Sequence, residues 1–222
     1  MKGFKSFGDI YKLMILFNIM KKKRMEKDKK ENFVCSNFRK GLMFVKETKN
    51  YIWFSLIVFF VIAILGYFFP IFFEKQILDL IKGLIEKTKG LGTFELIRFI
   101  FINNLGSSFF ALFLGIFFGI FPIGVLVANA YVLGYVASKS VGVGGIGILW
   151  KLLPHGIFEI PAIIISIAIG LRLGMFLFVS KKRNFAEFKK LIIDAFRVFV
   201  LIVIPLLVLA AIIEGALIVL LE

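Results

Sequence analysis

The stretch Tyr51–Phe73, YIWFSLIVFFVIAILGYFFPIFF, carries no charged residue. At about 1.5 Å of rise per helical residue it is long enough to cross a hydrocarbon core of about 30 Å. Tyr51, Trp53 and Tyr67 suit the interfacial layers, and Pro70 predicts a kink or an end to the helix. A segment of this kind decides the fold class. In lipid, a spanning chain must satisfy its backbone polar groups internally, and a helix does so within one segment.

Four further apolar stretches follow, at about 99–121, 122–141, 154–180 and 192–221. With 51–73 they predict an all-α, polytopic membrane bundle of five transmembrane helices. Pro122 comes after almost no loop, so the second and third spans form a tight hairpin. Between the third and fourth, Gly142, Gly144, Gly145 and Gly147 mark a flexible segment of re-entrant character. Residues 74–92 alternate charge with Ile77, Leu80, Ile81, Leu84 and Ile85, which is helical spacing with one apolar face. They are expected to form an amphipathic helix on the membrane surface, ended by Gly90 and Gly92. Thr93 is placed to cap the next helix, with Glu95 in its first turn.

The 222 residues are 60% hydrophobic and include 29 Phe, which excludes a water-soluble single domain. The 28 Lys+Arg against 14 Asp+Glu give a net charge of +14. In a soluble protein that excess would point to nucleic acid. Here the charges sit between apolar runs, where topology accounts for them, and no nucleic-acid partner is expected. Residues 1–32 read as a basic leader and linker, and 33–222 as a single membrane domain. Within the leader, Phe4, Phe7, Ile10, Tyr11, Met14, Ile15 and Phe17 are interrupted by Lys5, Asp9 and Lys12. Lys21-Lys22-Lys23-Arg24 follows in place of a small-residue cleavage site, so the stretch reads as an interfacial helix near an anionic leaflet and not as a signal peptide. Residues 33–50 read as a juxtamembrane helix with Arg39, Lys40, Lys46 and Lys49.

Five spans put the two termini on opposite sides. Fourteen Lys/Arg precede the first span and five lie in 181–190, against five in 74–98 and two in 138–151. The excess of cytoplasmic Lys/Arg expected of membrane proteins then predicts a multi-pass cell-membrane protein with its N-terminus in the cytoplasm and its C-terminus outside.

Polar residues inside spans are costly and are functional candidates by default. Here they are Asn103, Asn104, Asn129, His155, Glu159, Arg172 and Glu214. On this topology Asn103 and Asn104, His155 and Glu159, and Glu214 fall toward the outer ends of three spans, and Asn129 near mid-membrane. His155 and Glu159 are one turn apart on one face, which continues through Ala162, Ser166, Gly170 and Gly174. The second span shows a matching stripe of Asn104, Ser108, Ala111, Gly115 and Gly119. Small residues at this spacing let membrane helices approach closely, so spans two and four are expected to pack these faces together. Arg172 lies on another face and is expected to snorkel toward the cytoplasmic interface; Asn129 is expected to bond a neighbouring helix.

Three readings of the polar cluster stay open. It can be a hydrogen-bonded clasp between helices. It can be a proton or ion pathway through Glu159 and Glu214. His155, Glu159 and Glu214 would also offer one nitrogen and two carboxylates to zinc or iron, although no HExxH motif or second histidine supports them. No metal or other cofactor is implied. Cys35 is the one cysteine, which excludes an intrachain disulfide and a Cys-based zinc site. Neither a phosphate-binding Gly-rich loop ending in Lys-Ser/Thr nor a GxSxG elbow occurs.

Asn103–Gly119, then Pro122 and Asn129, then Leu153-Pro154-His155-Gly156 with Glu159 one turn on, and Gly170-Leu171-Arg172-Leu173-Gly174, form a pattern that resembles the stage II sporulation protein M family. The resemblance covers about residues 45–222, and the PHGxxE element in a five-span context is its most specific part. Family members are similar to the membrane anchor of a three-protein complex in which two partners cut peptidoglycan. The resemblance thus implies a scaffold and points away from an enzyme; it carries over no catalytic residues. The expected partners are the lipid bilayer and membrane or envelope proteins, with homo-oligomerisation also compatible. The alternatives from other classes are an ion-coupled permease using Glu159 and Glu214, and a metal-dependent intramembrane hydrolase.

Overall fold

A computed structural model describes residues 19, 20, 23, 33–117, 119–179 and 184–221, with the side chains of 151–155, 177–179 and 219–221 outside that description. Most of the basic leader 1–32 and the Lys181–Arg183 cluster therefore lie outside the described residues. The chain divides into two compact units, residues 1–40 and 41–222. In the first, residues 33–40 are helical, Asn37 donates to the Phe33 carbonyl at 2.9 Å, and Phe33, Val34 and Phe38 are exposed.

The helices of the second unit are α1 (41–47), α2 (Lys49–Phe68), α3 (Glu74–Thr88), α4 (Thr93–Phe113), α5 (Ile120–Gly144), α6 (Leu153–Val179), α7 (Phe185–Val198) and α8 (Ile204–Leu221). A 3₁₀ turn, Leu114–Ile116, extends α4; a second, Ile146–Leu152, precedes α6; a π turn, Phe199–Val203, joins α7 to α8. No strand occurs among the described residues. Five helical stretches are long and apolar enough to cross a membrane: Lys49–Phe68, Thr93–Ile116, Ile120–Gly144, Gly156–Phe176 and Phe185–Ile218. The all-α, five-span architecture expected from the sequence is the architecture of the molecule.

Several boundaries differ from the expected ones. α2 stops at Phe68 and not at 73, because Phe69 precedes Pro70 and leaves helical geometry at φ −123°, ψ 61°. The cap of α4 is Gly92 and not Thr93; the Gly92 N–H donates to the Glu95 carboxylate at 3.1 Å. α5 runs on through Gly142 to Gly144, and the segment after it winds as a 3₁₀ helix. The last helical stretch starts at Phe185 and not at 192, so Lys189 and Lys190 lie on a helix. The π turn lies just before Pro205, where Ile204 N–H bonds the Phe199 carbonyl five residues back. Proline lacks the N–H that would continue a regular ladder there. The α4–α5 hairpin turns through Gly119 at φ +72°, a left-handed conformation open to glycine at little cost. Pro122 sits in the first turn of α5, where its missing N–H leaves no intrahelical bond unmade.

α6 is the most deeply buried element. Ala162, Ile163, Ile164, Ile167, Ala168, Ile169, Leu171 and Leu173 are all inside. Around Ile169 and Leu173 pack Leu112 of α4, Leu191, Ala195 and Val198 of α7, Val203 and Leu207 toward α8, and Phe44 of α1. α2, by contrast, turns Trp53, Phe54, Ile57, Phe60, Val61 and Ile64 outward. In lipid such a face gains little from leaving the solvent, so helix association must come from close van der Waals approach. α2 and α5 achieve it through backbone contact. A side chain at Gly134 would overlap the Ala63 carbonyl, and one at Gly66 the Tyr131 carbonyl. At the far end of α2 the Tyr131 hydroxyl donates to the Phe69 carbonyl, an acceptor freed by the helix end, and the ring meets Phe73 edge-on at 5.3 Å. Lys139 of α5 pairs with Glu74 at the start of α3 at 2.6 Å.

Candidate functional site

The small-residue faces of α4 and α6 meet. Asn104, Ser108, Ala111 and Gly115 are buried on one side, and Ala162, Ser166, Gly170 and Gly174 on the other. A side chain at Gly170 would overlap the Ala111 carbonyl; one at Gly115 would overlap the Gly170 backbone; one at Gly174 would meet the backbone of Gly115 and Gly119. The two backbones therefore lie in direct contact over two turns. Ser166 Oγ donates to the Ala162 carbonyl of its own helix at 2.9 Å, while Ser108 Oγ is buried without a hydrogen-bond partner.

Toward the Thr93 end of α4, α8 joins this seam. Leu96 and Ile100 of α4 pack with Ala211, and Ile97 lies over Gly215. Glu214, next to Gly215, and Glu159 on α6 are half-buried, and neither stands without an interaction. Thus α4, α6 and α8 carry Asn104, Glu159 and Glu214 on three mutually packed helices. The backbone of His155 belongs to the first turn of α6, one turn before Glu159, and its side chain lies outside the described residues. Among the described residues no three His, Cys, Asp or Glu side chains group as a metal site. Asn103 is exposed on α4 and takes no part in the seam. Asn129 is half-buried, and its Nδ2 donates to the Val125 carbonyl at 2.8 Å. It bonds its own helix and not a neighbour, because the carbonyl one turn back is within reach of a short amide side chain.

Arg172, expected to reach toward the cytoplasmic interface, reaches the residues just before the first span and finds partners there that the sequence did not name. Nη1 donates to Thr48 Oγ1 at 2.7 Å, Nη2 lies 3.2 Å from a Glu47 carboxylate oxygen, and the guanidinium stands over the Phe44 ring at 4.5 Å from its centroid. Thr48 is fully buried at the break between α1 and α2, and its hydroxyl in turn donates to the Phe44 carbonyl at 2.8 Å. Planar fork geometry suits arginine to such a site, where one face stacks and the edge donates. Glu47 and Thr48 were not among the expected site residues; the signal available was that a charge within an apolar run needs a partner at its own depth. Asp194 and Arg197, an i, i+3 ion pair with both side chains largely buried, were also missed and were legible as a pair of opposite charges on one helical face.

Five spanning helices held together by backbone contact and intramembrane polar groups define a multi-pass integral membrane protein. The family model for stage II sporulation protein M matches residues 29–217, most of the chain, and the protein belongs to that family. The chain is also similar to an uncharacterized protein of Methanocaldococcus jannaschii, 36% identical over 101 residues. That match spans 44% of this chain and 45% of the relative, so the chain covers about half the length of the curated relative it matches. No solved structure matches.

Proposed function

We propose that this protein is a membrane scaffold that anchors and organises partner proteins, envelope-remodelling ones among them. The observation that carries this reading is the α4–α6 seam. Gly115, Gly170 and Gly174 allow backbone contact over two turns, and the Arg172 clasp ties α6 to the start of α2. Alternating access needs one group of helices to rock against another around a central site. Interlocked backbones at the centre favour a rigid platform over a moving one. The Lys/Arg distribution supports an N-terminus in the cytoplasm and a C-terminus outside.

The test is affinity purification from native membranes in mild detergent, with mass spectrometry and metal analysis on one sample. A stoichiometric protein partner in a metal-free preparation is the expected outcome. A lone protein with one equivalent of zinc or iron would overturn the scaffold in favour of an enzyme using Glu159 and Glu214. A lone, metal-free protein would overturn it in favour of a permease.

A further inference from the structure

The last helical stretch, Phe185–Ile218, has 34 residues. At about 1.5 Å per residue it measures roughly 50 Å, against a hydrocarbon core of about 30 Å. About fourteen residues are surplus to the crossing, and the amphipathic segment is α7, Phe185–Val198. Its inner face, Leu191, Ala195 and Val198, packs against Phe44. Gly41 lies beside the same helix, with its Cβ position 3.7 Å from Val198 Cγ2 and 3.9 Å from Arg197 Cγ. Residues 41–49 and α7 therefore form one body at the end of the bundle where α2 begins.

The outward face of that body has mixed chemistry. Phe185, Ile193 and Phe196 are exposed on α7, and Leu42 and Met43 on the 41–49 segment. Lys189 and Lys190 on α7, Lys46 on α1 and Lys49 at the start of α2 are exposed as well. Along the helix, Phe196 lies about 9 Å nearer the apolar span than Lys190. For Ile193 and Phe196 against Lys189 and Lys190 this is the order of a bilayer boundary, with apolar groups at the acyl edge and ammonium groups at the phosphate level.

We propose that α7 and residues 41–49 form a collar seated in the headgroup layer that binds anionic phospholipid, with Lys46, Lys49, Lys189 and Lys190 holding the lipid phosphates. Charge complementarity and continuity with the apolar spans select lipid as the occupant. The collar takes lipid whether or not the protein also acts as a scaffold.

The full chain reconstituted in discs of mixed phosphatidylcholine and phosphatidylglycerol supplies the test. Native mass spectrometry reads the lipids each molecule retains. The wild type is expected to retain phosphatidylglycerol preferentially, and Lys189→Gln and Lys190→Gln to lower that preference roughly fivefold each. Lys75→Gln with Lys82→Gln on α3 is the control and leaves it unchanged. Equal retention of the two lipids by the wild type, or an undiminished preference in the Lys189→Gln/Lys190→Gln protein, would overturn the proposal. A spin label at Phe196→Cys in a Cys35→Ser background gives an independent reading. Access to dissolved oxygen but not to a water-soluble nickel chelate is expected. Shielding from both would mean that protein covers this face, and access to both that water does; either excludes the lipid collar.

Discussion

Arg172 of α6 donates a 2.7 Å hydrogen bond to the hydroxyl of Thr48, 124 positions earlier, at the break between α1 and α2. The bond joins the start of the first span to the end of the fourth. Hydrogen bonds from a charged donor contribute about 1.5–3 kcal/mol, more than neutral ones. Arg172→Met is therefore expected to lower stability by about 2 kcal/mol, and Arg172→Lys to recover only part, because an ammonium lacks the fork and the stacking plane. Removing the exposed Lys139–Glu74 pair is expected to cost less, because solvent screens a surface pair. Unfolding in detergent followed by circular dichroism checks the order, and equal losses would show that the clasp is no stronger than a surface pair.

The glycine contacts make a second set of expectations. Gly170→Ala places a methyl group on the Ala111 carbonyl, and Gly134→Ala one on the Ala63 carbonyl. Each is expected to cost about 1–3 kcal/mol through helix separation. Gly106→Ala and Gly124→Ala meet nothing within 4 Å. They are expected to be neutral or to stabilise by up to about 1 kcal/mol, as alanine favours a helix interior. A thermal shift assay on the four variants reads this directly; a loss at Gly106 as large as at Gly170 would contradict the packing.

Two tyrosines one turn apart on α5 differ in their hydroxyls. Tyr131 donates to the Phe69 carbonyl, whereas the Tyr135 hydroxyl is buried with no hydrogen-bond partner. Tyr131→Phe is expected to destabilise by about 1–3 kcal/mol by orphaning an acceptor, and Tyr135→Phe to be neutral or stabilising. Denaturant titration of the two variants should separate them, and the reverse order would refute the assignment.

Asn129 bonds only one turn back along its own helix in this structure. Asn129→Leu is expected to leave stability within about 0.5 kcal/mol of wild type, as for a substitution that removes no interhelical contact. A larger loss in the same titration would place a neighbouring helix or a second chain against it.

How much of the site could be read in advance varies by residue. The α4 and α6 stripes were legible because small residues at every fourth position share one face, whatever that face meets. The α2–α5 contact was not, although Ala130 and Gly134 stand at the same spacing, since nothing in a stripe names its partner. The end of α2 was misplaced by five residues because the restriction acts on Phe69, the residue before Pro70, and an apolar run continues past it. The start of the last span was placed at 192 because Lys189 and Lys190 broke the apolar run, yet they are exposed on the same helix that buries Leu191, Ala195 and Val198.

Length and hydrophobicity of local runs by themselves determined that this chain is a five-span helical bundle, because in lipid each segment must close its own backbone hydrogen bonds before meeting a neighbour. Only the tertiary structure decided that Gly170 lies on Ala111, that Gly134 lies on Ala63, and that Arg172 reaches back to Thr48 and Glu47. Those pairings depend on which helices stand side by side and at what depth, and a sum over local sequence does not contain that information.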